Sequence, residues 1–385
     1  MTFSEFLFPN DLHVFWSLMI VTYPFITGLV AGAFIASSFY YLFGMKELEP
    51  ISRFSLLLSF AFMTCATLPL LLHLGHPERA FNVMIIPNFK SAIAAFGFIY
   101  NFYSIILIFM LWLVYRIEII ESYKKSTGIK RAIWGILTLG VKEVTNESIE
   151  ADKKVIRILS IIGIPAACIL TGYVGFLFGS VKSNPWWSTP LMPQIFVISA
   201  IISGLASVIL IYLFLGWRGV MDREYKCLQR LAVILWYFIV LAIVFEGLEI
   251  LFFYYEKGDE WLVVSTLLSG KLFFSFVILQ WGLGLLIPFV SLTLILFVKR
   301  YEHLFATLAA IASIFALLEV WIMRWNIVIG GQLFSKSFIG FRSYHPHWFE
   351  KEGILTTIII TLLPLLILYV LSRFVTLWES EKEKF

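Results

Sequence analysis

Hydrophobic residues fall into nine long blocks, at roughly 14–43, 53–74, 92–116, 156–180, 194–217, 229–254, 271–298, 303–327 and 353–378, with polar stretches between them. Each block has about 20 apolar residues or more, the length a helix needs to cross the hydrocarbon core. Backbone groups inside lipid must bond within their own segment, so the blocks predict helices. A β-barrel would show ten-residue segments of alternating polarity instead. The first block is too long for the core of a signal peptide and follows no basic stretch, so it reads as a retained span. The pattern predicts an all-α polytopic membrane protein with three parts. Residues 1–180 form a first four-helix bundle that includes the loop 116–155. Residues 194–327 form a second four-helix bundle, and 328–385 hold an outer loop, a peripheral ninth helix and a tail.

Composition agrees with the pattern. The chain is 60% hydrophobic and 14% charged, where a soluble domain is about 45–50% apolar and about 25% charged. Its solvent is therefore largely lipid. The net charge of +4 is small and gives no reason to expect nucleic acid. Its placement is more informative. Segment 116–155 carries Lys124, Lys125, Lys130, Arg131, Lys142, Lys153 and Lys154; 217–230 carries Arg218, Arg223, Lys226 and Arg230; Lys299 and Arg300 add a third basic turn. Residues 1–13 have no Lys or Arg, and 180–194 have only Lys182. Basic loops stay on the cytoplasmic side. The expected topology in the cytoplasmic (inner) cell membrane therefore has the N-terminus outside and the tail Glu379–Phe385 inside.

Several chemistries find no support. Cys65, Cys168 and Cys227 are far apart and form no CxxC pair, so they frame neither a zinc site nor an iron–sulfur cluster. None of His13, His73, His76, His303, His345 and His347 falls mid-span, where axial ligands of a membrane haem would sit. Small residues at spacing four (Gly28, Gly32 and Ala36) predict a close helix contact, as do Gly172, Gly175 and Gly179.

Two clusters of polar residues remain. The outer ends of spans one, two and four carry Tyr23, then His73, His76 and Arg79, then Tyr173. Antiparallel neighbours can aim these side chains into one pocket, apolar below and rich in donors at the rim, which suits a quinone. Interfacial anchoring is the plainer reading of the same residue types. The second cluster is in spans six to eight: Glu246 and Glu249 at i, i+3, then Lys271, Glu319 and Arg324. Ionisable groups at membrane depth either pair with one another or serve proton transfer, and both readings stand.

At these residues the chain resembles the NrfD/PsrC family of quinone-interacting membrane subunits. The segment His73-Leu74-Gly75-His76-Pro77-Glu78-Arg79-Ala80-Phe81, followed by Pro87-Asn88-Phe89-Lys90-Ser91, is similar to the family's helix-two motif. It departs in having His73 for the usual acidic residue and His76 for the usual Arg. Tyr173-Val174-Gly175, Pro185-Trp186-Trp187 and Pro190-Leu191-Met192-Pro193 resemble its fourth helix and the approach to the fifth. The stretches Arg324–Gln332 and Tyr344-His345-Pro346 resemble longer members: HybB-type hydrogenase subunits, alternative complex III membrane subunits and the DsrP membrane subunit of the Dsr complex. Longer members often carry an additional N-terminal helix, which has no expected counterpart here.

The resemblance implies menaquinone bound non-covalently in the first bundle, with no haem or iron–sulfur cluster in this chain. It implies an iron–sulfur ferredoxin-like subunit docked on the outer face, with a multihaem cytochrome c and other membrane subunits as further partners. Tyr23 and Tyr173 take quinone-contact roles, His73, His76 and Arg79 line the mouth, and Glu246 and Glu249 match residues assigned to proton movement. Within the family the reading leans to a Dsr-type sulfur complex. Two rival classes stay open: a secondary transporter, for which Pro24, Pro165 and Pro288 show no paired pattern, and a passive anchor that touches no quinone.

Overall fold

The computed structural model describes residues 14–220, 224–256, 259–297, 302–334 and 340–378. The expectations placed on residues 1–13, Arg223, Lys299, Arg300 and Glu379–Phe385 lie outside these. Among the described residues, nine helices are long and apolar enough to cross a membrane. They are α1 (Leu18–Tyr41), α2 (Lys46–His73), α3 (Ala94–Lys125), α4 (Asn146–Gly179), α5 (Met192–Trp217), α6 (Tyr225–Tyr255), α7 (Phe273–Leu296), α8 (His303–Gln332) and α9 (Ile354–Leu371). The described residues contain no strand, only an isolated bridge between Phe334 and Phe341. The expected all-α class and nine spans are observed.

Alternate helix ends meet at two faces, named here for a residue at each. The His73 end gathers the starts of α1, α3, α5, α7 and α9. The Arg53 end gathers the start of α2 and the far ends of α3 and α9; there Arg53 donates to Glu118 (2.8 Å) and to the Trp378 carbonyl (3.1 Å).

Helix α1 is the centre of the packing. It lies against α2, α4, α5 and α8, which draws helices from both expected bundles around it. Its most hydrophobic stretch is 94% buried, against 22% for α9. The contact with α5 is backbone on backbone. A Cβ on Gly32 would stand 2.1 Å from the Ala200 carbonyl oxygen, and one on Gly204 2.2 Å from the Gly32 carbonyl carbon. Only glycine permits that approach.

Two departures from the hydrophobic pattern have physical causes. Segment 116–155 is mostly helical: α3 runs on to Lys125, a separate helix spans Gly128–Leu137, and α4 begins at Asn146. Helix ends are set by caps as well as by hydropathy. At the α4 start, the Ser148 N–H donates to Thr145 Oγ1 (3.2 Å) and the Thr145 N–H to Ser148 Oγ (3.1 Å). In α7, residues Phe273–Leu286 wind as a π-helix of 14 residues. Such winding is usually confined to a single turn and often marks a functional site.

Candidate functional site

The five residues expected at one pocket occupy four settings at the His73 end. Helix α2 stops at His73, after which Leu74 is extended and Pro77 holds His76 out of the helical region. His73 Nδ1 lies 2.7 Å from Glu352 Oε2, and Ser17 Oγ donates to the same oxygen. The loop before α9 is thereby tied to the start of α1 and the end of α2. Partial burial alone would raise the Glu352 carboxyl, but the bonds from Ser17 and His73 outweigh it and hold the group below the usual carboxylate range. Beside this tie, a cleft of about 680 Å³ opens among Phe15, Ser17, Tyr344, His345, Glu350 and Glu352.

His76 and Arg79 stand apart from it. Both are exposed and gather on Glu78, with His76 Nδ1 at 2.9 Å and Arg79 Nε at 4.0 Å. Tyr173 donates to the Ala92 carbonyl (2.5 Å), which pins the segment ahead of α3 to α4. Tyr23 is deepest. It is 6% exposed, its ring meets Phe96 edge-on at 5.4 Å, and its buried hydroxyl has no hydrogen-bond partner among the described residues. A buried hydroxyl without a partner is uncommon, because leaving it so has a cost.

The second cluster converges inside the protein, with one exception. Lys271 is exposed and donates to Ser343 Oγ (3.0 Å) on the loop before α9. Glu246, Glu319 and Arg324 are buried, at 5%, 0% and 0% exposure. Gln280 of α7 donates to Glu246 Oε2 (2.8 Å), and Asn326 of α8 donates to Gln280 Oε1 (2.8 Å). Both Glu319 carboxyl oxygens are buried with no hydrogen-bond donor among the described residues. The side chain is seated by Gly284 of α7, where an added Cβ would stand 2.5 Å from Glu319 Cβ. Glu246 and Glu249 share a helix face and line one cavity of about 10 Å³ with Gln280 and Asn326. That is room for one water molecule. Glu249 Oε1 and Asn326 Oδ1 are buried acceptors with no donor among the described residues, the two partners such a water needs.

Among the described residues, Arg324 pairs with no carboxylate. It donates to Ser199 Oγ (2.6 Å) and lies 3.6 Å over the Phe196 ring, both on α5. Trp186 covers the cluster from the His73 end: its Nε1 donates to the Asn326 carbonyl (3.1 Å) and its ring stands edge-on to Phe276. Trp187 Nε1 likewise donates to the Ile327 carbonyl (2.7 Å).

Sequence reasoning missed Gln280, Asn326, Ser199, Ser17 and Glu352. The two amides were visible as neutral polar residues within apolar runs, and a search for ionisable groups passes over them. Nothing local in the sequence ties position 352 to position 73.

The sequence profile of the family described as "Polysulphide reductase, NrfD" matches residues 9–336. A selenate reductase subunit of Mesobacillus selenatarsenatis is 29% identical over 82% of this chain and 73% of its own length. Protein NrfD of Escherichia coli is 25% identical over 83% of this chain and 95% of its own. A polysulfide reductase subunit of Wolinella succinogenes is 26% identical over 83% and 95% respectively.

Proposed function

This chain belongs to the NrfD polysulphide reductase family, and on that premise we propose that it is the quinone-binding membrane subunit of a multisubunit reductase complex. The observation that carries the reading is the Tyr23 hydroxyl, a buried donor with no acceptor among the described residues, below a rim that holds His73 and Glu352. A quinone ring offers two carbonyl oxygens, so one donor inside and one titratable group at the rim fit its chemistry. Bound there, a menaquinone or its quinol would supply two-electron, two-proton chemistry.

The chain's own residues would do the rest. Tyr23 orients the ring by donating to one oxygen. His73, with Glu352 on its Nδ1, exchanges a proton through Nε2 with the other oxygen or with water. Tyr173 keeps the segment before α3 in place as the slot's wall, while His76 and Arg79 form the polar mouth. The His73 end faces outside in this reading, in keeping with the basic segments at the opposite end.

Electrons pass to an iron–sulfur subunit docked on that face. Phe81, Ile85, Ile86 and Phe89 are exposed there, as are Trp348 and Phe349 of the outer loop, an apolar surface that suits a protein partner. The selenate and polysulfide reductase relatives support a terminal reductase as the acceptor. The late-chain motifs support sulfur chemistry of the Dsr type. Glu246, Glu249 and Glu319 serve proton transfer within the α5–α8 interior, with Arg324 as the fixed charge beside them and Lys271 outside the path.

The test is turnover of purified complex with a menaquinol analogue and with a soluble dye. Tyr23→Phe and Tyr173→Phe should each lose quinol-dependent turnover and keep dye-dependent turnover. Wild-type quinol turnover in both variants removes the site.

A further inference from the structure

The helix Gly128–Leu137, between α3 and α4, turns Arg131, Trp134 and Gly135 to the protein and its isoleucines outward. Arg131 lies over the Tyr123 ring at 5.2 Å. Gly135 abuts the same ring, where an added Cβ would stand 3.2 Å from it. Ile129, Ile133 and Ile136, spaced i, i+4, i+7, form one face and are 81%, 54% and 74% exposed. Leu139, just beyond the helix, is exposed as well. An apolar face turned away from its own protein is unfavourable in water and needs another cover.

Its position names that cover. Trp112 of α3 donates from Nε1 to the Leu137 carbonyl (2.8 Å) and stacks on Phe109 at 5.9 Å. Phe109, Ile108 and Ile105 are exposed on the same helix, along the part that faces lipid. The first charge after them is Arg116, so Trp112 marks the level where α3 leaves the hydrocarbon. The outer face of Gly128–Leu137 is thus continuous with the lipid-facing surface of α3. Charge points the same way. From Ser122 to Lys142 the chain carries Lys124, Lys125, Lys130, Arg131 and Lys142 and no acidic residue. Among the described residues, only Lys125 of these is drawn to a carboxylate, Glu121 at 3.1 Å.

We propose that Gly128–Leu137 lies in the plane of the membrane surface and binds anionic phospholipid headgroups. Its Ile129, Ile133 and Ile136 face enters the acyl boundary, and Lys124, Lys130 and Lys142 meet the phosphates. The site is independent of the quinone reading and lies at the opposite end of the molecule.

The experiment uses the full chain in nanodiscs of phosphatidylcholine alone or mixed with phosphatidylglycerol, with hydrogen–deuterium exchange followed over 128–139. Exchange should slow by about tenfold when the anionic lipid is present. Lys124→Gln with Lys130→Gln should abolish that difference, and Ile133→Asp, a change at an exposed position, should speed exchange in both lipids. Equal exchange in the two wild-type preparations overturns the proposal. So does a double variant that responds to phosphatidylglycerol as the wild type does.

Discussion

The rim at the His73 end and the interior among α5–α8 are both polar clusters in a lipid-bound protein, and they are built in opposite ways. The rim draws Ser17, His73 and Glu352 from three separate stretches of chain, beside a cleft that is open to water. The interior draws Glu246, Gln280, Glu319 and Asn326 from three packed helices and shuts water out except for a space of single-molecule size. A rim group that loses its partner can bond to water. An interior group has no bulk water to turn to, so losing a partner costs it more. The difference separates a place suited to exchanging protons with solvent from one suited to holding them.

The largest effect that can break this contrast is at Glu246. Glu246→Ala strips the acceptor from a buried Gln280 amide and should cost about 1–3 kcal/mol in thermal unfolding of the solubilised protein. His73→Ala at the rim should cost less than about 1 kcal/mol. Equal losses would mean that the two clusters are not differently sealed. Glu246→Gln sharpens the point: an amide oxygen can still accept from Gln280, so stability should be kept while any proton flux through the interior is lost, read as dye-quenching rates in liposomes.

Next in size, Tyr23→Phe should leave thermal stability unchanged, because the hydroxyl bonds to no group among the described residues. Quinol-dependent turnover should fall about tenfold or more, the loss of one hydrogen bond at the reacting ring. Tyr173→Phe should lose some stability as well, because its hydroxyl holds the Ala92 carbonyl.

A smaller effect follows from Glu352. Its folded-state carboxyl sits below the ordinary range, so the stabilisation is full above that range and is lost as pH falls through the lowered value. Exchange of the 343–353 backbone should therefore quicken only in acid, below the usual carboxylate range. Glu352→Gln should leave that segment loose at neutral pH and remove the acid dependence. The smallest effect is at Lys271. It is exposed and its bond is to Ser343, so Lys271→Ala should change stability by no more than about 0.5 kcal/mol and leave turnover at the wild-type level.

The nine spans were legible because a lipid solvent leaves a plain mark: long runs of apolar residues with charges at their ends. Helix boundaries were less so. The Thr145–Ser148 cap carries α4 well into polar sequence, and hydropathy alone does not register it. Of the interior cluster, Glu246, Glu249, Glu319 and Arg324 were readable as costly charges at membrane depth. Gln280 and Asn326 were not, since a neutral amide costs less and draws less notice. One of the two readings paired Arg324 with a carboxylate; the side-chain contacts that hold it are a ring and a serine, both on α5. Such contacts depend on which helix faces which, and that lies beyond any local pattern. The π winding around Gln280 has no sequence mark that we can name.

The Gly32–Gly204 contact bears on how the molecule is assembled. Helix α1 is made before α5 and α8, which form half of what finally encloses it. Until then it must rest among lipid chains, and a stretch from Leu18 to Tyr41 without a single charged side chain can do so at no penalty. The glycine notch is what lets a late-arriving neighbour displace those lipids, so α1 waits as a free membrane helix and ends as an axle.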